Sequence, residues 1–261
     1  GLGTRLLPLT SVIPKELLPI NGKPGLEYIL DECIDAGIKD IILIISKKKS
    51  IIKDYFYKDN FYKRIIKKKN DKRILKEYRK IQKYKKKIKF VYQNEPRGTG
   101  DAVLKTKNLI KNKHFLMLLP DDLIMGKNCS KKMIEIHNKY KSSVIASMKI
   151  NKKNVSRWGV FKVKKNLSKG NFLIANVVEK PSIKSAPSNN AVIGRYILPK
   201  KIFNSLKSQK KGKDGEVHIT DAIQSLILNN NIFVGHNFAG KYLDCGTLKG
   251  YIDSSKKISK L

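Results

Sequence analysis

Acidic side chains are scarce in this sequence. Against 56 lysines and arginines it has 21 aspartates and glutamates, a formal net charge of +35. Arginine is scarcer still. Seven of the 56 basic residues are arginine, at positions 5, 64, 73, 79, 97, 157 and 195, and the other 49 are lysine. A basic excess of this size raises nucleic acid as a partner. Proteins that read nucleic acid, however, lean on arginine for base edges and on aromatics for stacking. Lysine in arginine's place, with abundant isoleucine and asparagine, is the mixture that A/T-rich coding produces. The charge therefore reads as surface character, and nucleic acid is not the expected partner.

Cysteine is rare as well. Cys33, Cys129 and Cys245 are odd in number and widely spaced, which points to reduced thiols in a cytoplasmic protein and to no metal-ligand spacing. Four histidines, His114, His137, His218 and His236, show neither metal spacing nor a triad partner and read as structural. Apolar runs are short, as at 41–45 and 115–119, so no segment reads as a membrane span. The start carries no signal-peptide core. There is no internal repeat and no linker rich in glycine, proline or serine. A chain of 261 residues, 41% hydrophobic, can bury one sizeable core. The expectation is a single domain over 1–261.

What the sequence does have is an alternation of strand and helix. Residues 25–36 read as a helix with Pro24 at its first position. Residues 40–45, 87–93 and 114–119 read as strands, with a helix at 101–110 and a loop over 15–24. Continuous apolar strands alternating with helices predict an α/β arrangement, a mainly parallel sheet covered by helices. Beyond residue 130 strand-like segments dominate, at 142–150, 159–163, 172–178 and 192–198. They predict a second, mixed β region. Residues 217–228 and 247–257 read as late helices. The most basic region, 47–89, has little apolar periodicity beyond Tyr55, Phe56, Phe61, Ile65, Ile66 and Ile74. It reads as a solvated helical excursion with one apolar stripe. The alternative is a polyanion-binding surface.

The chain opens on GLGTRLLPLTSVIPKELLP. Glycines let the backbone approach an anion and take positive φ. Successive N–H groups in such a turn form an anion nest. Arg5 adds a bidentate fork and Lys15 a mobile point charge. In an α/β nucleotide site such a loop follows a strand. Nothing precedes Gly1 here, so the strand that should carry the loop is expected to be missing.

The loop resembles the signature G-x-G-T-R-x-x-P-x-T … P-K of the nucleotidyltransferases that make sugar nucleotides. Further anchors follow in that family's order over nearly the whole chain: NGKPGLEY at 21–28, Gln93 with RGTGDAV at 97–103, LLPDDL at 118–123, SRWGV at 156–160, VVEKPS at 177–182, IGRYIL at 193–198, GEVHITDAI at 215–223 and LDCGTLKGY at 243–251. The similarity is greatest to the bacterial UTP–glucose-1-phosphate uridylyltransferases. The resemblance implies a Rossmann-like nucleotidyltransferase fold with a mixed, mainly parallel central sheet and a small additional β region. It implies a nucleotide-binding part over about 1–130 and a sugar-binding part over about 131–261, in a homo-oligomer, dimer or tetramer.

The resemblance also implies roles. Gly1, Leu2, Gly3 and Thr4 would cradle the nucleotide phosphates, with Arg5 and Lys15 as catalytic cations. Gln93 and Gly98 would read uracil, for which a glutamine amide can donate and accept at once. Asp101 stands where that family commonly has histidine or glutamine. It reads as a helix cap. Asp121 and Asp244 would hold Mg²⁺, a hard cation that takes carboxylate oxygens together with phosphate oxygens and waters. By itself Asp121 also reads as a turn or helix cap, and Asp122 as a supporting or turn residue. Lys180 would hold the sugar phosphate, Glu179 the sugar hydroxyls, and Gly159 would offer a backbone N–H to the sugar. Trp158 departs from the more usual tyrosine. It reads either as an aromatic wall or as a core aromatic.

The implied reaction is uridylyl transfer from UTP to glucose 1-phosphate. The nucleophile is already an anion, so no general base is needed, which agrees with histidines that read as structural. The alternatives are a sister enzyme using dTTP or ATP, and a decayed polyanion-binding protein on the same fold.

Overall fold

The computed structural model describes residues 3–58, 60–69, 71–212 and 215–259. Its centre is a six-stranded sheet. Across it, in order, run His114–Leu118, Asn190–Pro199, Ser143–Lys149, Phe233–Asn237, Asn171–Val178 and Val160–Asn166. Ala191 also pairs with Val160, so the last strand curls back onto the second.

The period of two along these strands divides the core between two faces. In Asn190–Pro199, Val192, Tyr196 and Leu198 enter one cluster while Ile193 and Ile197 enter the other. In Ser143–Lys149, Ile145 joins the first and Val144 and Ala146 the second. Helices Thr99–Leu104, Ile202–Ser208 and Ile219–Leu228 cover the first face through Val103, Phe203 and Ile223. Helix Cys129–Tyr140 covers the second through Met133 and Ile136.

A smaller sheet pairs Ile41–Ile45 with Ile88–Tyr92 in parallel. Helix Gly25–Asp35 packs on it through Leu26 and Leu30. The basic region between these strands is helical, at Ser50–Tyr57, Asn60–Lys69 and Lys72–Lys85. Its apolar stripe, Ile52, Phe56 and Tyr84, closes the same core. Ions fasten it too: Lys80 reaches Glu27 at 2.9 Å and Asp31 at 3.3 Å, and the Tyr84 hydroxyl donates to Asp31.

The α/β class holds, but the sheet is less parallel than the strand–helix alternation predicts. Among the described residues parallel pairing is confined to Ile41–Ile45 with Ile88–Tyr92 and Ser143–Lys149 with Phe233–Asn237. The cause lies in the connections. Val160–Asn166 and Asn171–Val178 are joined by a tight turn with Lys169 at φ 58° and Gly170 at φ 75°. Such a turn returns the chain antiparallel, whereas parallel neighbours need a long crossover.

Other elements are longer, shorter or new. The helix expected over 101–110 spans Thr99–Leu104, and beyond it the Thr106 hydroxyl takes the Val103 carbonyl, a local bond that competes with the helix. The loop over 15–24 contains an antiparallel pair, Pro19–Ile20 with Lys23–Pro24. Helix Cys129–Tyr140 was not legible from its apolar pattern, although Asn128 caps it by accepting from the Lys131 N–H.

Candidate active site

The glycine loop is tied into a fixed turn. Gly3 takes φ 78°, and the Thr10 hydroxyl donates to its carbonyl at 2.7 Å. A Cβ at Gly3 would stand 3.2 Å from Thr10, so the position favours glycine for conformation and space. The next turn, Thr4–Leu6, is anchored by the fully buried Leu6. That anchor leaves Arg5 to line a cleft together with Asp121, Asp244, Glu179 and Lys180. Thr4 lies in the same turn, and Gly1 and Leu2 lie outside the described residues.

Two carboxylates meet Arg5 there. Asp121 follows strand His114–Leu118 and is held by the Cys245 N–H, which donates to its carbonyl at 2.8 Å. Asp244 ends strand Lys241–Asp244, which pairs antiparallel with Asp122–Met125. Both converge on Gly246. A Cβ at Gly246 would lie 2.9 Å from Asp121 Oδ2, 3.2 Å from Asp244 Oδ1 and 3.4 Å from Arg5 Nη2. Only a bare glycine leaves that space open.

Each carboxylate also has a cation of its own. Lys15 Nζ donates to Asp121 Oδ2 at 2.6 Å, and Arg157 Nη2 to Asp244 Oδ2 at 2.8 Å. Burial pushes the Asp121 carboxyl up, but Lys15 and then Arg5 outweigh it and hold it below the ordinary carboxylate range. Asp122 goes the other way. Burial, then the neighbouring Asp121, raise it, against donors from Tyr242 and from the Gly194 N–H. Asp122 lines the cleft as well, and its two acceptor bonds tie strands Lys241–Asp244 and Asn190–Pro199 to it.

Among the described residues no three Asp, Glu, His or Cys side chains gather as a closed metal cage. Two converging carboxylates over an open space suit a hard cation that takes its remaining ligands from phosphates and water.

Further lining comes from the motifs read as sugar-binding. Gly159, Glu179 and Lys180 line the same cleft, of about 340 Å³, within the range of about 300–1,000 Å³ usual for small-molecule sites. Strand Asn171–Val178 stops before Pro181, and Lys180 takes φ 42° with its N–H on the Trp158 carbonyl at 3.1 Å. Glu179 Oε2 accepts from Thr220 at 2.9 Å, and a Cβ at Gly159 would stand 3.2 Å from that oxygen. Trp158 is half-buried, packs on the second core cluster and lines the cleft, so both readings of it apply.

Gln93 and Gly98 do not line this cleft. Gln93 Nε2 donates to the Gly98 carbonyl at 3.0 Å and to Asp101 Oδ2 at 2.8 Å. Both amide hydrogens are taken within the chain, which leaves Oε1 to accept from a ligand. Asp101 lies in the first turn of its helix but is not the capping group, because Gly98 holds that position. Gly98 has a packing role of its own. At φ 96°, a Cβ on it would stand 2.5 Å from the Val217 carbonyl oxygen, and the Val217 N–H donates to Arg97 O at 2.9 Å. The GEVHITDAI string therefore docks directly on the RGTG turn.

The structure adds residues that no motif reading assigned. Arg195, fully buried, forks onto both carboxylate oxygens of Glu32 at 2.8–3.0 Å and donates to Leu119 O at 3.3 Å, two residues before Asp121. Arg157 lies on the Trp158 ring with 4.6 Å to its centroid. Scarcity is the signal that could have found both: three of seven arginines, Arg5, Arg157 and Arg195, stand in or directly under the cleft. The histidines stay away from it. His236 Nδ1 bonds Asn171 at 2.8 Å, and His114 packs on His137 at 4.5 Å between ring centroids.

Comparison with known proteins shows the family. Residues 1–260 match the family model described as Nucleotidyl transferase. The UTP–glucose-1-phosphate uridylyltransferase of Bacillus subtilis (strain 168) is 35% identical over 257 residues, covering 98% of this chain and 87% of that protein. Its Streptococcus pyogenes counterpart is 37% identical over 264 residues, covering 98% and 84%. Among solved structures, a UDP-glucose pyrophosphorylase complexed with UDP-glucose superposes with a TM-score of 0.87 at 36% identity, covering 100% of this chain and 95% of that one. The UTP-bound enzyme of Acinetobacter baumannii gives 0.89 at 31%, covering 99% and 90%. This chain belongs to the nucleotidyl transferase family.

Proposed function

We propose that this protein transfers the uridylyl group of UTP to glucose 1-phosphate, giving UDP-glucose and pyrophosphate. The observation that carries the reading is the convergence of Asp121, Asp244 and Arg5 on Gly246, in one cleft with Glu179 and Lys180. The named relatives and structural neighbours support the choice of substrates.

An oxygen of the sugar phosphate attacks the α-phosphorus of UTP in line, and pyrophosphate leaves. The difficulty is bringing two polyanions together, so positioning and charge neutralisation carry the catalysis. Arg5 and Lys15 stabilise the triphosphate and the departing pyrophosphate. Lys180 holds the attacking phosphate, and Glu179, oriented by Thr220, takes sugar hydroxyls. The glycine loop from Gly1 to Thr4 lies along the nucleotide phosphates. Gln93 accepts from the imino N–H of uracil through Oε1, with Gly98 keeping its turn in place. Asp121 and Asp244 would hold Mg²⁺, which supplies charge neutralisation at the phosphate oxygens. Residues to about 130 then serve the nucleotide and those beyond it the sugar, in a cytoplasmic homo-oligomer.

The test is pyrophosphate release by the purified protein with Mg²⁺, glucose 1-phosphate and either UTP, dTTP or ATP. Turnover highest with UTP is expected. A preference for dTTP or ATP overturns the choice of nucleotide. Salt-sensitive DNA binding without turnover overturns the enzyme itself.

A further inference from the structure

Arg157 and Lys180 both touch Trp158, one at its ring and the other at its backbone. The Arg157 guanidinium lies on the Trp158 ring, and the Lys180 backbone N–H bonds the Trp158 carbonyl. Both cations line the cleft. Lys180 has no ion pair among the described residues, whereas Arg157 is engaged on Asp244. With Lys15 on Asp121, each of the two converging carboxylates is ion-paired to one cation of its own, besides the Arg5 they share. Lys15 and Arg157 together carry the two positive charges that a divalent cation would bring.

The two pairs differ in how readily they part. Lys15 and Asp121 keep 13% and 20% of their side-chain surface exposed, Arg157 and Asp244 49% and 26%. A pair as open as the second is screened by water and weak. The guanidinium is also held from below by the indole face, a contact that does not depend on Asp244. Turning its outer torsions is enough to redirect the fork. A guanidinium fork matches a phosphate with two parallel hydrogen bonds, which an ammonium cannot offer.

We propose that Arg157 binds the sugar-side phosphate of the substrate and rests on Asp244 until a divalent cation takes that carboxylate. The inference rests on Asp244 being a metal ligand. Metal binding releases the guanidinium, and the released guanidinium captures phosphate beside Lys180. The two binding events therefore reinforce each other, and by linkage the reinforcement is reciprocal.

Calorimetry on the whole protein tests this, with Mn²⁺ alone, UDP-glucose alone and UDP-glucose at saturating Mn²⁺. The variants are Arg157→Gln, Arg157→Lys and Asp244→Asn. Arg157→Gln should bind Mn²⁺ about threefold tighter, because a weak competitor is gone. It should bind UDP-glucose at saturating Mn²⁺ about tenfold more weakly, and Mn²⁺ should no longer strengthen UDP-glucose binding as it does in the unaltered protein. Arg157→Lys, with charge but no fork, should fall between. A purely structural Arg157 predicts the reverse for the metal, since Asp244 would lose its support. Unchanged or weaker Mn²⁺ binding in Arg157→Gln therefore overturns the proposal, as does unchanged coupling to UDP-glucose. If Asp244→Asn loses Mn²⁺ while Arg157→Gln behaves as the unaltered protein, this proposal alone fails. If Asp244→Asn binds Mn²⁺ undiminished, the metal-ligand reading fails and takes the proposal with it.

Discussion

The cleft and the helical excursion over residues 47–89 both carry charge, and they use it in opposite ways. In the cleft four carboxylates, Asp121, Asp122, Glu179 and Asp244, face Arg5, Arg157 and Lys180 at close range. In the excursion lysines such as Lys72, Lys76 and Lys83 stand in water, and ordered ions occur where it meets the helix Gly25–Asp35, at Lys80 with Glu27 and Asp31. Water screens the more buried pairs at the cleft, such as Asp121 with Lys15, poorly and the excursion's lysines well. A net charge of +35 is therefore a statement about the surface. The chemistry follows from a handful of charges placed where screening fails.

The sharpest way to break that comparison is Arg195→Met. It strands Glu32, whose side chain keeps only 10% of its surface exposed. Removing one partner of a buried pair costs about 3–5 kcal/mol, and urea unfolding should show a loss of that size. A loss below about 1 kcal/mol, the range of exposed pairs, would place Arg195 with the surface charges.

Next come Asp121→Asn and Asp244→Asn. Each should lower kcat/KM by about 10²-fold or more, the usual size for a preorganised electrostatic group, with the circular dichroism spectrum unchanged. Full activity in either variant would falsify the two-carboxylate site.

Asp31→Asn probes the seam between the excursion and helix Gly25–Asp35, and its effect should depend on pH. Burial works to raise the Asp31 carboxyl, but hydrogen bonds from Lys23 and Tyr84, and the charges of Lys23 and Lys80, bring it below its ordinary value of 3.8. The folded state thus binds this proton less readily than the unfolded state. The stability it contributes is present above pH 3.8 and is lost as pH falls through the folded value. Asp31→Asn should lose about 1 kcal/mol at pH 7, and the deficit should shrink as pH drops below 4. A deficit that persists in acid would assign the loss to packing.

The smallest effect belongs to the excursion's surface. Replacing Lys72, Lys76 and Lys83 together by glutamine should change stability by less than about 0.5 kcal/mol per site, and uridylyl transfer by less than about twofold. A larger fall in activity would revive the polyanion-binding surface.

Much of the site was legible because its residues sit in short strings with fixed chemistry. GLGTR brings positive φ, a close approach and a cation within five residues. EKP brings a carboxylate, an ammonium and a strand terminator within three. What escaped was pairing over distance. Arg195 meets Glu32 across 163 positions, and Arg157 meets Asp244 across 87. No local pattern marks either pair. Asp101 escaped differently: its placement in the first helical turn fitted a cap, but the nearby Gln93 amide was the stronger claimant. Strand direction escaped because apolar alternation reports burial and says little about connections. The turn at Lys169 and Gly170 decides direction, and it looks unremarkable in a lysine-rich sequence.

By itself the sequence determined the family, the α/β class, the reading of the 47–89 region as helical, and which residues stand as candidates to handle phosphate, because each of these depends on residue type and near-neighbour spacing. Only the tertiary structure decided which carboxylate faces which cation, that the Gln93 amide donates to Gly98 and Asp101, and that both aspartates converge on one glycine. Those facts depend on distances between residues far apart in the chain, and folding alone sets such distances.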